Sequence, residues 1–207
     1  MNGNILRRRM INKPEDEESK YWLVSNGSSY LDTGYTPNIK TELEYKYYVT
    51  NIGQYGPYIG SAPGSKGDGF AIPFYRNSAK KISATRFNWL SDVSSTKLVN
   101  NTNYTVSAYR GNNNIIINGD IVGSLSAGAN ECTDTLVLYT YYGNPTSSSF
   151  TMKGGIQYFR IYENNVLIHN FIPKLINGVA GMYDTKTKRF CSSKTSTPFT
   201  LIEITNN

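Results

Sequence analysis

The chain has 207 residues, of which only 17% are charged, and it contains 18 glycines and 17 tyrosines. This composition disfavours long helices and suits one all-β domain in which tight turns join short strands. The net charge of +6 falls in separate clusters, without a nucleic-acid motif, a membrane-spanning apolar run or a secretory leader, so we expect no nucleic-acid partner and no membrane insertion.

The first part of the chain, residues 1–19, differs from the rest because it is strongly charged and has no hydrophobic periodicity. An acidic run at residues 15–18 follows its basic and apolar beginning. We interpret residues 1–19 as an arm that docks onto a partner protein, and residues 20–207 as one sandwich domain. The residues expected to make the docking contact are Ile5, Leu6, Arg7, Arg8, Arg9 and Met10.

From Tyr21 onward, short strands alternate with turns. The clearest strand is residues 41–49, where an apolar face alternates with a polar one that includes Glu42 and Glu44. Further strands are predicted at residues 57–61, 69–75, 81–87, 104–110, 135–142, 155–163, 166–173, 178–184, 188–192 and 198–204. About a dozen short strands separated by turn residues predict a two-sheet antiparallel sandwich.

Three local signals predict how these strands begin and end. Asn118-Gly119 lies between two β-branched runs and predicts a tight type I′ hairpin. The Asn164-Asn165 pair predicts a second hairpin turn. Pro173 cannot donate a hydrogen bond to a neighbouring strand, so we expect its strand to stop there or to lie at a sheet edge.

Residues that could carry catalysis or bind a metal are sparse. His169 is the single histidine, it has no acid nearby in sequence, and we interpret it as structural. Glu42 and Glu44 share a strand face without a further acid, which favours a solvated face over a glycosidase pair. Cys132 and Cys191 have no metal-ligand spacing and are expected to be free, buried or half-buried thiols.

A loop containing Asp68 could hold a calcium ion, but one acid among glycines is more typical of a plain turn. We therefore expect no cofactor and no enzymatic activity.

Aromatic residues are the remaining signal of function. Rings beside amides and hydroxyls are typical of carbohydrate recognition, and tyrosines are also typical of protein interfaces and of ordinary sheet packing. We expect at least one ring of residues 139–142 to face solvent. The residues predicted to form a glycan-binding face are Arg86, Trp89, Tyr139, Tyr141 and Tyr142.

Four motifs in chain order resemble the LamG-like, concanavalin A-type jelly-roll modules of phage virion proteins, especially those of gut-bacterial phages. They are Tyr30–Gly34, Arg160–Pro173, Gly181–Phe190 and Thr197–Phe199, and the resemblance spans residues 21–203. The chain departs from this family at Lys174, where a cysteine is common, and at Cys191, where an aromatic is usual. The resemblance implies a jelly-roll fold, and the two departures argue against the family's disulfide.

The resemblance also implies a function. It suggests a non-catalytic virion protein, made in the host bacterial cytoplasm, that docks by its arm onto other virion proteins as a capsid-attached head fibre or decoration subunit. A tail-fibre module that binds bacterial surface glycans is the alternative. In either case we expect a homo-oligomer, a dimer or a trimer.

Overall fold

The computed structural model describes residues 19–51, 55–56, 59–61, 70–76, 81–87, 91–95, 97–129, 132–140 and 152–205. These residues form short strands and one helical turn, α1 (Arg110–Asn113). The strands are β1 (Tyr21–Asn26), β2 (Leu31–Asp32), β3 (Thr41–Asn51), β4 (Tyr55–Gly56), β5 (Ile59–Ser61), β6 (Phe70–Arg76), β7 (Lys81–Arg86), β8 (Ser91–Ser94), β9 (Thr102–Tyr109), β10 (Asn114–Ile117), β11 (Asp120–Ser124), β12 (Val137–Leu138), β13 (Lys153–Glu163), β14 (Val166–Ile176), β15 (Val179–Asp184), β16 (Phe190–Ser192) and β17 (Thr200–Glu203).

The strands form two antiparallel sheets. The larger sheet has the order β11-β10-β9-β3-β13-β14-β15-β16, and β1 joins it beside β13 with β17 on its outer side. The smaller sheet has the order β2-β12-β5-β6-β7-β8, with β4 paired to β6. The predicted two-sheet sandwich is therefore confirmed. No helix in the described part of the chain is long and apolar enough to cross a membrane.

The two sheets enclose one core in which large aromatic side chains are prominent. From β3, the side chains of Leu43, Tyr45 and Tyr47 point into this core and are at most 1% exposed. Phe159 of β13 and Phe70 of the smaller sheet are fully buried in the same core. The alternation read in residues 41–49 is therefore real, and the side chains between these apolar residues lie on the opposite, outer face of the larger sheet.

Both predicted hairpin turns are present. Asn118 and Gly119 have φ of 52° and 92°, and Asn164 and Asn165 have φ of 49° and 63°. These positive φ values are what a type I′ turn requires at its two central positions, and asparagine and glycine adopt them at little cost. The turns fix the β10–β11 and β13–β14 pairings.

The two ends of β13 have different neighbours on one side, and this arrangement explains the position of Pro173. The first residues of β13 pair with β1, whereas β14 pairs with β13 only from Phe159 onward, where Phe159 faces Phe171. β14 continues through Pro173, which pairs with Met182 of β15. The strand does not stop at Pro173, but Pro173 lies beyond the last β13 partner and is paired on the β15 side alone. Pro173 is therefore at a local edge, the second position that its missing N–H predicted.

Candidate ligand-binding site

Tyr139, predicted to lie on a glycan-binding face, is instead a fully buried core residue. Its φ of 72° ends β12 after Leu138, so the strand predicted for residues 135–142 is shorter than expected. The Tyr139 hydroxyl donates to the carbonyl of Leu23 and accepts from the N–H of Ile156 at 3.2 Å. Leu23 and Ile156 are paired residues of β1 and β13, so Tyr139 connects the two sheets and cannot stack on a ligand.

Arg86 also lies inside the fold, with 4% of its surface exposed. Its guanidinium group donates to Oδ1 of Asn113 and, at 3.0 Å, to the carbonyl of Ile39, and it lies 4.7 Å above the ring of Tyr109. Because Arg86 is buried and its guanidinium group is held by these contacts, the placement of Arg86 on a glycan face was wrong. The other predicted residues lie outside the described residues: Trp89, Tyr141 and Tyr142 of the glycan face, Asp68, and the arm residues Ile5, Leu6, Arg7, Arg8, Arg9 and Met10.

His169 has an acidic partner that the sequence did not reveal. Its Nδ1 lies 2.7 Å from Oδ2 of Asp184, and its ring stacks on Phe171 with an interplanar angle of 19°. Asp184 is fully buried and also binds the backbone of the turn that follows β15. The pair joins β14 to the end of β15.

The outer face of the larger sheet carries a row of polar and aromatic side chains. On β3, the outward residues Tyr48, Lys46 and Glu44 are half-buried. Each has a neighbour at the same level on β13, and directly paired residues project from the same face. Lys46 pairs with Tyr158, and Glu44 pairs with Arg160.

At one end of this face lies a cavity of about 510 Å³, which we call the outer-face pocket. Trp22 and Tyr48 meet edge to face in its wall, with ring centroids 4.9 Å apart. Burial raises the pKa of Tyr48, so its hydroxyl stays protonated and can both donate and accept hydrogen bonds at neutral pH. The complete lining is Trp22, Lys46, Tyr48, Asn101, Asn103, Gln157, Ile202, Glu203, Ile204 and Thr205.

Two consecutive glycines of β13 position the Tyr48 ring. A Cβ on Gly155 would lie 2.5 Å from Cε1 of Tyr48 and 3.2 Å from Cβ of Trp22. A Cβ on Gly154 would lie 2.0 Å from the carbonyl oxygen of Tyr48. Only glycine leaves space at these positions, so the Gly154-Gly155 pair lets the ring lie across β13 and form the pocket wall.

Farther along the same face is a charge cluster formed by Glu42, Glu44, Arg110 and Arg160, with Tyr162 beside it. Nη1 of Arg160 donates to Oε1 of Glu44 at 2.8 Å, and Nη1 of Arg110 donates to Oε2 at 2.9 Å. The guanidinium group of Arg110 lies 4.0 Å above the ring of Tyr162. Glu42 is 8% exposed and Oε2 of Glu42 lies 3.8 Å from Nε of Arg110. The solvated face predicted for Glu42 and Glu44 was therefore wrong: Arg160 of β13 and Arg110, the first residue of α1, bind Glu44, and Arg110 also lies beside Glu42.

A second cavity, also of about 510 Å³, lies between β15 and β17, and we call it the apolar groove. Leu175 and Val179 at its rim are 59% and 47% exposed. Among the described residues, its lining contains no charged or amide side chain, and its ring, Phe199, is 5% exposed. It is therefore less suited to a hydroxyl-rich ligand than the outer-face pocket.

The described part of the chain contains neither a cluster of metal-ligating side chains nor a disulfide. No group of three or more His, Cys, Asp or Glu side chains there could hold a metal ion. Cys132 and Cys191 are both buried thiols outside any disulfide, as predicted. The candidate site is thus built from rings, amides and charged groups.

Comparison with known proteins identifies similar folds. Neither a scan against protein-family models nor a search of curated proteins gives a match. Among solved structures, a protein from Bacteroides ovatus described as carbohydrate-binding aligns with a TM-score of 0.64 at 12% identity, over 91% of this chain and 61% of its own. The present chain thus spans less than two thirds of that protein's length.

Two further structures are the CBM40 module of the Ruminococcus gnavus IT-sialidase, alone and bound to α2,3-sialyllactose. The module alone aligns with a TM-score of 0.51 at 17% identity, over 70% of this chain and 91% of its own. The complex aligns with a TM-score of 0.51 at 16% identity, over 70% of this chain and 92% of its own. At these identities the comparisons establish a shared β-sandwich fold.

Proposed function

We propose that this protein is a non-catalytic glycan-binding module and that the outer-face pocket holds the sugar. The observation that carries the proposal is the pocket wall itself, where the Trp22 and Tyr48 rings lie beside the amides of Asn101 and Asn103. Rings provide apolar contact to a sugar face, and amides both donate to and accept from hydroxyl groups. The similar folds described as carbohydrate-binding support the same proposal.

Glycan binding should depend on Tyr48. On an array of neutral and acidic glycans, we expect the Tyr48→Ala protein to bind at least about tenfold more weakly than the unchanged protein, a loss of 1.4 kcal/mol. Tyr183→Ala is the matched control, because Tyr183 is a half-buried tyrosine on β15 whose ring contacts Lys174 rather than the pocket. A silent array with the folded protein, or equal binding by the Tyr48→Ala protein, would rule out the proposal.

We further propose that the module is displayed on a phage particle as a dimeric or trimeric head-fibre or decoration subunit, docked by Ile5–Met10. The support is the ordered set of motifs that resembles phage jelly-roll modules, together with the basic and apolar start of the arm. A tail-fibre position remains the alternative, and immunogold labelling of particles distinguishes head from tail.

Removal of residues 1–18 tests the docking role of the arm. We expect the shortened subunit to fold, because it keeps every core residue of the described part of the chain, and to be missing from purified particles when these are quantified by mass spectrometry. Normal incorporation of the shortened subunit would contradict docking by the arm. Light scattering on the full chain checks the expected dimer or trimer.

A further inference from the structure

We infer that the ligand is an uncharged oligosaccharide that runs along β3 from the outer-face pocket to the charge cluster. This inference rests on the proposed function and adds to it the size and the charge of the ligand. Three features of the outer face support it: continuity, rigidity and balance of charge.

The pocket and the cluster lie in one row. Tyr48, Lys46 and Glu44 alternate along the outer face of β3, and Lys46 lines the pocket while Glu44 is the centre of the cluster. On the β9 side, Asn103, Thr105 and Ser107 pair with the same three residues in turn. Tyr48 and Glu44 are four positions apart on the strand, or about 13 Å. A single sugar ring contacts one end of this row, whereas a chain of several rings contacts both.

The far end of the row is preorganised. Glu44 has both carboxylate oxygens bound by arginines, and Arg160 is further held by Oδ1 of Asn170, 3.3 Å from its Nε. The Arg110 and Arg160 guanidinium groups are each held against a tyrosine ring, that of Tyr162 and that of Tyr158, at 4.0 and 4.4 Å. Fixed side chains lose little conformational freedom when a ligand binds, which favours affinity.

The row is also partly accessible. The side chains of Arg110 and Glu44 are 30% and 20% exposed, and Thr105, midway along the row, is exposed. Arg110 offers N–H donors and Glu44 offers acceptor lone pairs to the same ligand. A hydroxyl group is matched to such a mixture because it both accepts and donates, whereas a carboxylate only accepts.

The charges of the cluster cancel, because Arg110 and Arg160 lie against Glu42 and Glu44. At the pocket end, Oε1 of Glu203 lies 3.3 Å from Nζ of Lys20, so this carboxylate has a partner outside the row. The two arginines of the cluster therefore carry no unbalanced positive charge for an acidic sugar. An acidic ligand would bring its own charge close to Glu44 without a matching excess of cations, and like charges at close range are repelled. The cluster end of the row therefore favours neutral sugars.

Calorimetric titration tests both the length and the charge of the ligand. The probes are a disaccharide and a pentasaccharide from each of the β-glucan, mannan and xylan series, together with lactose and α2,3-sialyllactose. For at least one neutral series we expect the pentasaccharide to bind about tenfold or more tightly than the disaccharide. We expect sialyllactose to bind no more tightly than lactose.

A steric block locates the second part of the site. Thr105→Trp places a large ring midway along the row at an exposed strand position, beside Lys46 at the edge of the pocket and away from the rings of Trp22 and Tyr48 that form its wall. We expect it to reduce pentasaccharide affinity to that of the disaccharide and to leave the disaccharide unaffected. Thr200→Trp, at an exposed position on β17, is the matched control and should bind both probes normally.

The contradicting results are distinct from failure of the proposed function. If the disaccharide binds through Tyr48 but affinity does not rise with length, or if Thr105→Trp leaves pentasaccharide affinity unchanged, the extended site is wrong. If sialyllactose binds about tenfold more tightly than lactose, the inference that the ligand is uncharged is wrong. If none of the probes binds and the glycan array is silent, the proposed function itself fails.

Discussion

The Asp184→Asn protein is expected to unfold with a free energy roughly 3 kcal/mol lower than that of the unchanged protein at pH 7. Asp184 is fully buried, and its Oδ1 accepts hydrogen bonds from the N–H groups of Asn170 and Lys186 at 3.0 and 3.1 Å. Its Oδ2 accepts from Oγ1 of Thr187 at 2.6 Å and faces Nδ1 of His169. An asparagine amide group in place of Oδ2 would turn a donor toward these partners, so buried hydrogen bonds would be lost.

This stability difference should depend on pH. Burial by itself would raise the pKa of Asp184, but the hydrogen bonds from His169, Thr187, Asn170 and Lys186 outweigh it and hold the pKa well below its ordinary value of 3.8. A group with a lowered pKa in the folded state stabilises the fold above its ordinary pKa and loses that contribution as pH falls toward the folded pKa. The difference in unfolding free energy between the two proteins should therefore have its full value at pH 7 and should decrease below about pH 4.

Urea unfolding of both proteins between pH 7 and pH 3 measures this effect. Asp120→Asn is the control, because Asp120 is an exposed residue at the start of β11 and its replacement should change stability by less than about 0.5 kcal/mol. A difference that stays constant across the pH range would show that the charge of Asp184 does not stabilise the fold.

The second large effect is expected at Gly154, where alanine should cost roughly 3–5 kcal/mol of stability. Gly154 has φ of 155° at an irregularity in the β3–β13 pairing, and an added Cβ would lie 2.0 Å from the carbonyl oxygen of Tyr48. That oxygen belongs to the main chain of the central strand, so it cannot move aside without breaking the pairing. The same displacement would move Tyr48 and weaken any ligand bound in the outer-face pocket.

Gly178→Ala separates steric overlap from backbone strain. Gly178 has φ of 77°, but an added Cβ there would meet nothing within 4 Å. Its replacement should cost only the strain of a left-handed conformation, about 1–2 kcal/mol. Urea unfolding of the two variants compares these costs. Equal losses of unfolding free energy would show that close approach to Tyr48 does not explain the effect of the Gly154 replacement.

Local patterns in the sequence predicted much of the fold. The alternation of residues 41–49 identified the core face of β3, and the asparagine–glycine and asparagine–asparagine pairs identified turns whose positive φ values are observed. These signals act over a few residues, so a single sequence contains them. The two-sheet sandwich follows from their number and spacing.

The site was less predictable because its contacts join residues far apart in the chain. Glu44 is bound by Arg110 and Arg160, which lie 66 and 116 positions away, so the sequence offered only a polar strand face. Tyr139 follows the same alternation as a surface tyrosine, but its hydroxyl reaches a pair of strands in the other sheet. The Gly154-Gly155 pair was the one local signal of the pocket, since consecutive glycines in a strand indicate that another group approaches the backbone closely.

Chemical-shift mapping of the backbone amides during titration with the tightest-binding oligosaccharide tests the central claim most directly. If the outer-face pocket binds the sugar, the largest shifts will fall on Lys46, Tyr48 and Asn103, and the amides of the apolar groove at Leu175, Val179 and Leu201 will stay unchanged. Shifts confined to the apolar groove, with none along β3, would contradict the claim that this face of the sheet is the binding site.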